Sequence, residues 1–241
     1  MEETDDPTDI PEKLNPKYSS ASPGLKGNPA VTGKIFTDDC SYVSKLKDTD
    51  RQYVESYVKP VLDRCEEYIK YKNDPNYVNV EFDWNSGGYL VIEKGHGSAE
   101  QEQNVKSAMP LVYAGFKVEL IKQQTIRIDG KKKHLTTRDA NVNEEKWEFK
   151  YTKDYINLAK SIGTKAGQAV AQGADVLLID IIKTKQYGKN LVILGIKNAF
   201  RYNMQLQKVC IMIESHIFYI VERKDYRDGT YIYKLKKWLT D

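Results

Sequence analysis

Apolar side chains recur along this chain at two periods, and the switches between them divide it. In residues 48–72 the positions Tyr53, Val54, Tyr57, Val58, Val61, Leu62, Cys65, Tyr68 and Ile69 fall three and four apart. That spacing predicts an amphipathic helix, capped by Thr49 or Asp50 and kinked or split at Pro60. Asn73-Asp-Pro-Asn76 reads as a turn. Residues 77–83 then alternate and 88–93 are apolar, with Asn85-Ser-Gly-Gly88 between them, the turn chemistry of a hairpin. Residues 100–113 return to the helical period with Val105, Ala108, Met109 and Val112 on one stripe, and Pro110 is expected to shorten or bend that helix. Residues 116–122 alternate as a first core strand, and 125–128 form a short strand running to a turn at Asp129-Gly130.

The second half repeats these signals. Residues 139–150 read as a short hairpin, and 154–172 as a helix with Leu158, Ile162, Ala166, Ala169 and Val170 inward. Residues 175–182 form a continuous apolar run, the mark of a strand buried on both faces. A helix over 190–203 follows, then a closing hairpin from 209–213 and 216–221, then a basic, tyrosine-rich tail to Trp238. From residue 100 the order is helix, strands, hairpin, helix, strand, helix, strands. It predicts an α/β or α+β fold with a mixed central sheet flanked by helices.

Residues 1–33 hold five of the eight prolines, with Ser, Gly and Lys between them, and read as a flexible leader. The expected division is that leader, a helical extension over 34–74, and a main domain over 75–241. A length of 241 residues with 40% hydrophobic content is ample for a sizeable core. Seventeen tyrosines are an unusual number, suited to base stacking, to interfaces or equally to a half-buried sheet. Cys40, Cys65 and Cys210 are far apart, which argues against a disulfide framework or structural zinc and fits a reducing compartment. The acidic start Met1-Glu-Glu-Thr-Asp-Asp is not a secretory signal, and no apolar run approaches the roughly 20 residues needed to span a bilayer.

A net charge of only +3 does not announce a nucleic-acid binder, so local clusters decide. Lys131-Lys132-Lys133-His134, with Arg127 and Arg138 on either side, can hold phosphates or be a solvated hairpin tip. In the hairpin over 139–150, residues two apart share a face, so Glu148 and Lys150 point one way while Trp147 and Phe149 take the apolar side. A two-residue turn at Asn143-Glu144 sets Asp139 across from Glu148; a four-residue loop shifts the partner to Lys150. Two converging carboxylates repel, and the usual remedy is a hard divalent cation, commonly Mg²⁺. A lysine beside them can orient a water or steady a phosphate's developing charge. His96, freed by Gly95 and Gly97, is a candidate general base or phosphate ligand, and Arg201 a candidate phosphate clamp.

Asp139 followed by Glu148-x-Lys150 resembles the PD-(D/E)xK nuclease superfamily, although Arg138 stands where that pattern has proline. More narrowly, residues 87–220 resemble the C-terminal nuclease domains of contact-dependent inhibition toxins, also found fused to phage minor head proteins. The matching pieces are Gly87-Gly-Tyr-Leu-Val-Ile-Glu-Lys-Gly-His96, Glu100-x-Glu-x-Asn104, Gly115-Phe-Lys-Val-Glu-Leu120, Trp147-Glu-Phe-Lys150 and Gln168. The resemblance implies a restriction-endonuclease-like core and an endonuclease of RNA, tRNA above all. It implies Mg²⁺ held by Asp139 and Glu148, with Glu102 from the preceding helix completing the site, and Gln168 on a phosphate or water. Acids in a first helical turn also simply complement the helix dipole. An immunity protein, a toxin or phage carrier and a cytoplasmic site of action are further implications. Three alternatives stand beside this reading. The first is a metal-free RNase of the barnase, colicin and EndoU-like group using His96, Lys150 and Arg201; the others are a DNase and a non-catalytic virion-associated module.

Overall fold

The structure is a computed structural model that describes residues 59–128, 131–134, 137–182 and 188–240. The leader over 1–33, the first part of the helical extension, the expected caps Thr49 and Asp50 and the turn at Asp129-Gly130 lie outside the described residues. Among the described residues, six helices surround an eight-stranded mixed sheet, the α+β architecture that the element order predicts.

Helix α1 (Lys59–Lys72), with Pro60 in its first described turn, precedes the hairpin β1 (Tyr77–Phe82) and β2 (Tyr89–Glu93). Helix α2 (Ser98–Tyr113) follows, then β3 (Lys117–Leu120), then a separate two-stranded hairpin, β4 (Thr125–Ile128) and β5 (Lys131–His134). The chain returns to the main sheet with β6 (Ala140–Val142) and β7 (Glu145–Thr152), crosses over α3 (Leu158–Ala171) into β8 (Val176–Ile181), and crosses again over α4 (Lys189–Tyr202) into β9 (Lys208–Ile213). Strand β10 (Ile217–Glu222) closes the sheet, whose order is β1-β2-β3-β6-β7-β8-β9-β10. The tail is not irregular: it folds as α5 (Arg223–Asp228) and α6 (Thr230–Thr240).

Strands β3, β6 and β7 form an antiparallel meander, and β8 joins β7 in parallel after α3. The run α2, β3, β6, β7, α3, β8 thus follows the predicted order of helix, strand, hairpin, helix, strand. Pro110 does not shorten α2, which continues to Tyr113 with the proline inside it. Gly88 explains how closely α2 seats on β2. A Cβ there would lie 1.9 Å from Val112 O, so only glycine admits the approach.

Alternation splits the core in two. On one face Leu90, Ile92, Val118, Leu120, Ala140, Val142, Trp147 and Phe149 pack under Ala108, Leu111 and Val112 of α2. On the other, Leu177, Ile179, Ile181, Val209 and Ile211 pack under α3, α4 and α6. On that second face α1 covers only the far end, where Tyr68, Tyr71, Tyr77 and Tyr89 pack ring against ring. Those four tyrosines are packing residues, the plainest reading of the tyrosine excess. Between α1 and α3 the face is polar across β3, β6 and β7.

Arg223 fastens the tail, its guanidinium donating to the carbonyls of Leu206 (2.6 Å), Asn203 (2.5 Å) and Phe200 (3.4 Å). Cys65 is disulfide-bonded, against the expectation of unpaired thiols, whereas Cys210 is free and buried. No helix among the described residues is long and apolar enough to cross a membrane.

Candidate active site

The register of the β6–β7 hairpin decides whether the acidic residues meet. Ala140 pairs with Trp147, Asn141 with Lys146 and Val142 with Glu145, so Asn143-Glu144 is a two-residue turn. Both turn residues have positive φ, 46° and 70°, as a two-residue hairpin turn that follows the strand twist requires. One step beyond the ladder the same register places Asp139 opposite Glu148. Asp139 Oδ2 accepts a hydrogen bond of 2.9 Å from Phe149 N, which locks the carboxylate across the hairpin.

Asp139 is 8% exposed and Glu148 fully buried. Lys150, on the same face of β7, forms an ion pair with Glu148 Oε1. Neither Glu148 oxygen has a hydrogen-bond partner of ordinary geometry; its close polar neighbours are the Lys150 ammonium and the Asp139 carboxyl. Burial, then the Asp139 charge, push the Glu148 carboxyl up to about 8, with Lys150 only partly offsetting them. Asp139 is also raised by burial, against the pull of Lys150 and of the Phe149 N–H. Burial alone would lower Lys150, but Glu148 and Asp139 outweigh it and hold the proton on the amine. Near neutral pH the trio therefore holds a proton on Glu148 and an ammonium on Lys150.

Comparisons with protein-family models, with curated proteins and with solved structures found no match to the chain.

The other expected residues are placed variously. His96 is buried rather than free in its loop: Nδ1 lies 2.6 Å from Ile121 O, and Nε2 3.1 Å from Asn104 Nδ2. Donation from Nδ1 to the carbonyl leaves Nε2 to accept from the amide, so both ring nitrogens are engaged. Ile121 N in turn donates to Asp139 O at 3.0 Å, so His96 braces the backbone that carries Asp139. Glu102 is not brought to the pair; its side chain is 83% exposed and bridges to Lys106 at 2.6 Å. Glu100, two residues earlier on α2, instead acts electrostatically on both Asp139 and Lys150. Gln168 is exposed on α3. Arg201 stands in the last turn of α4, its guanidinium 5.5 Å from the Tyr202 ring centroid. Lys132 and Lys133 lie in β5, opposite Arg127 and Ile126 of β4, on the hairpin inserted between β3 and β6.

The pair suits a hard cation. Two carboxylates converge, one is fully buried with no hydrogen bond of ordinary geometry to either oxygen, and a positive ion would supply the charge that a proton now supplies. Among the described residues no group of three or more His, Cys, Asp or Glu is gathered to hold a metal; a cation at this site would have two carboxylates, Asp139 and Glu148. That is an ordinary number for Mg²⁺, which keeps several waters and borrows substrate phosphates.

Sequence reasoning gave Asn104 no role of its own, preferred Glu102 to Glu100, and passed over a further buried carboxylate, Asp180 of β8. Asp180 accepts from Ser215 N (3.0 Å), Ser215 Oγ (2.5 Å), Gln103 Nε2 (3.3 Å) and Ser107 Oγ (3.4 Å), and so ties α2 to the β9–β10 turn. Its one signal was an acid inside an otherwise apolar strand.

Proposed function

We propose that the chain is a metal-dependent endonuclease of the PD-(D/E)xK type, acting on nucleic acid, with RNA and tRNA its first candidates. The observation that carries this reading is the meeting of Asp139, Glu148 and Lys150 on one face of one hairpin, with Glu148 unable to ionise comfortably on its own. A surface ion pair, as a non-catalytic module would need, is a different arrangement, because Glu148 is fully buried.

In this mechanism Asp139 and Glu148 would hold Mg²⁺, which when bound polarises a phosphoryl oxygen and lowers the pKa of a coordinated water. Glu148 must first release its proton, so loading is favoured as pH rises toward 8. Lys150, kept charged by its two carboxylate neighbours, is a hydrogen-bond donor and not a base. It orients the attacking water or a non-bridging phosphate oxygen. Water then adds to phosphorus and gives up a proton to solvent, the bond to one ester oxygen breaks, and that oxygen takes a proton from solvent. His96 does not touch the substrate; it positions the segment that carries Asp139. The metal-free alternative would require His96 to exchange protons, and both its nitrogens are occupied.

Delivery by a toxin or phage carrier, action in a target cytoplasm and a matching immunity protein remain part of the proposal by resemblance. The test is incubation of the purified protein with total tRNA and with plasmid DNA, each with Mg²⁺ and with EDTA, beside Lys150→Ala. Cleavage that needs Mg²⁺ and is lost in a folded Lys150→Ala supports the reading. Cleavage that survives EDTA, or that leaves a cyclic phosphate end, overturns it.

A further inference from the structure

Helix α3 carries a polar stripe of which the family resemblance accounts for Gln168 alone. Leu158, Ile162, Ala166 and Ala169 are its buried side, while Ser161, Thr164, Lys165 and Gln168 recur three and four apart beside it. With Lys160 and Asp154 these residues line a groove of about 320 Å³. The groove is moored to the strand that carries the site, since Ser161 Oγ and Thr152 Oγ1 share a hydrogen bond of 3.0 Å. Thr152 is two residues beyond Lys150, on the same face of β7.

The charges in this groove are unbalanced. Lys165 is partly buried, which weakens its hold on a proton, and the Lys150 charge adds to that effect. Lys150 has Glu148 for a partner, whereas Lys165 has no carboxylate partner among the described residues. The groove's one acid, Asp154, is turned to its own loop, accepting from Asn157 N at 2.9 Å. The remaining lining, Asn157, Lys160, Ser161, Thr164 and Gln168, consists of side chains able to donate hydrogen bonds, around a cation that feels the Lys150 charge. Such an arrangement is stabilised when an anion enters.

We propose that the α3 groove binds a backbone phosphate of the nucleic-acid strand beside the scissile one, with Lys165 supplying the charge and Thr164 and Gln168 hydrogen bonds. This assignment rests on the nuclease reading for its ligand. It makes Lys165 a substrate-binding residue whose contact is the same in ground and transition states, so its loss falls on KM and spares kcat.

The experiment measures binding of a fluorescent single-stranded oligoribonucleotide by anisotropy in EDTA, where Mg²⁺-dependent cleavage is off, across a range of salt. Inorganic phosphate serves as competitor, and cleavage in Mg²⁺ is followed in parallel. Lys165→Met is expected to weaken binding about tenfold, one charge-assisted contact. It should reduce the slope of log affinity against log salt by about one. In cleavage KM should rise with kcat nearly unchanged, and Lys165→Arg should retain most of the affinity. The melting temperature should not fall, because the substitution relieves a repulsion; Lys165→Gln repeats the test should the methionine variant misfold. Unchanged affinity and salt slope in Lys165→Met overturn the groove assignment, and the nuclease reading stands if the wild-type chain still cleaves. Weakened binding with no cleavage by wild type keeps the groove and removes the catalytic reading. Displacement of the oligonucleotide by millimolar phosphate, with Lys165→Met insensitive to it, would reassign the groove to free phosphate and overturn the strand contact.

Discussion

Replacing Glu148 by Gln gives the sharpest test of the electrostatics, because the side chain keeps its shape and loses only its ability to ionise. In the unfolded chain Glu148 releases its proton near the ordinary 4.5; in the folded protein it does so at about 8. The folded-state value is raised, so the stabilisation from holding the proton is complete below 4.5 and is lost as pH climbs to about 8. Each pH unit in that window removes about 1.4 kcal/mol, which sets a ceiling of about 5 kcal/mol over the whole of it. Because Glu148 is fully buried, little of this is screened by solvent. Urea denaturation in EDTA at about pH 5 and about pH 8 should show the wild-type protein losing several kcal/mol that Glu148→Gln keeps. The two proteins should be nearly equal at the lower pH and Glu148→Gln the more stable at the higher. Parallel profiles, or a Glu148→Gln variant that is the weaker of the two at pH 8, would refute the picture of a buried carboxylate squeezed between Asp139 and the core.

Asp139→Asn should fold, since an amide oxygen can still accept from Phe149 N, yet lose at least about a hundredfold in initial cleavage rate with Mg²⁺. Removing the like charge should also bring the Glu148 titration down from about 8, read by NMR of the carboxyl carbon. Glu144→Gly should raise the urea midpoint, adding about 0.5 kcal/mol, because the φ of 70° at Glu144 favours glycine; no gain would mean that the turn holds no strain. Gly88→Ala should cost about 3 kcal/mol or more in thermal unfolding, since its Cβ would meet the Val112 carbonyl at 1.9 Å and backbone must move.

The hairpin was legible in the sequence because its geometry has few options. Two-residue alternation and the length of one turn fix which side chains meet, and the pairing of Ala140 with Trp147 follows from counting. The strand over 175–182 was equally plain, being apolar throughout. What periodicity misjudged was the inward face of α2. Counting only apolar residues gave the stripe Val105, Ala108, Met109 and Val112, which does not separate Glu100 from Glu102, and the choice fell on Glu102. The buried face also contains Asn104 and Ser107, and Glu100 stands four and seven residues before them. Polar residues buried by a specific partner carry no hydrophobic signal, so Asn104 stayed hidden until its partner His96 was placed beside it. The same holds for the tail: Tyr231, Leu235, Trp238 and Leu239 have helical spacing, but surrounding lysines and tyrosines masked it.

Strand β8 has a consequence for how the chain reaches this state. Its successive residues feed opposite cores, Val176 and Leu178 one and Leu177, Ile179 and Ile181 the other. Both of its neighbours are parallel, so each pairing waits on a complete helical crossover, α3 before it and α4 after. Neither half can mature alone, which makes the domain a single cooperative unit. Such distant parallel pairings form late, and refolding is expected on the slow side, in milliseconds to seconds, with the β8 amides the last to exchange with deuterated solvent.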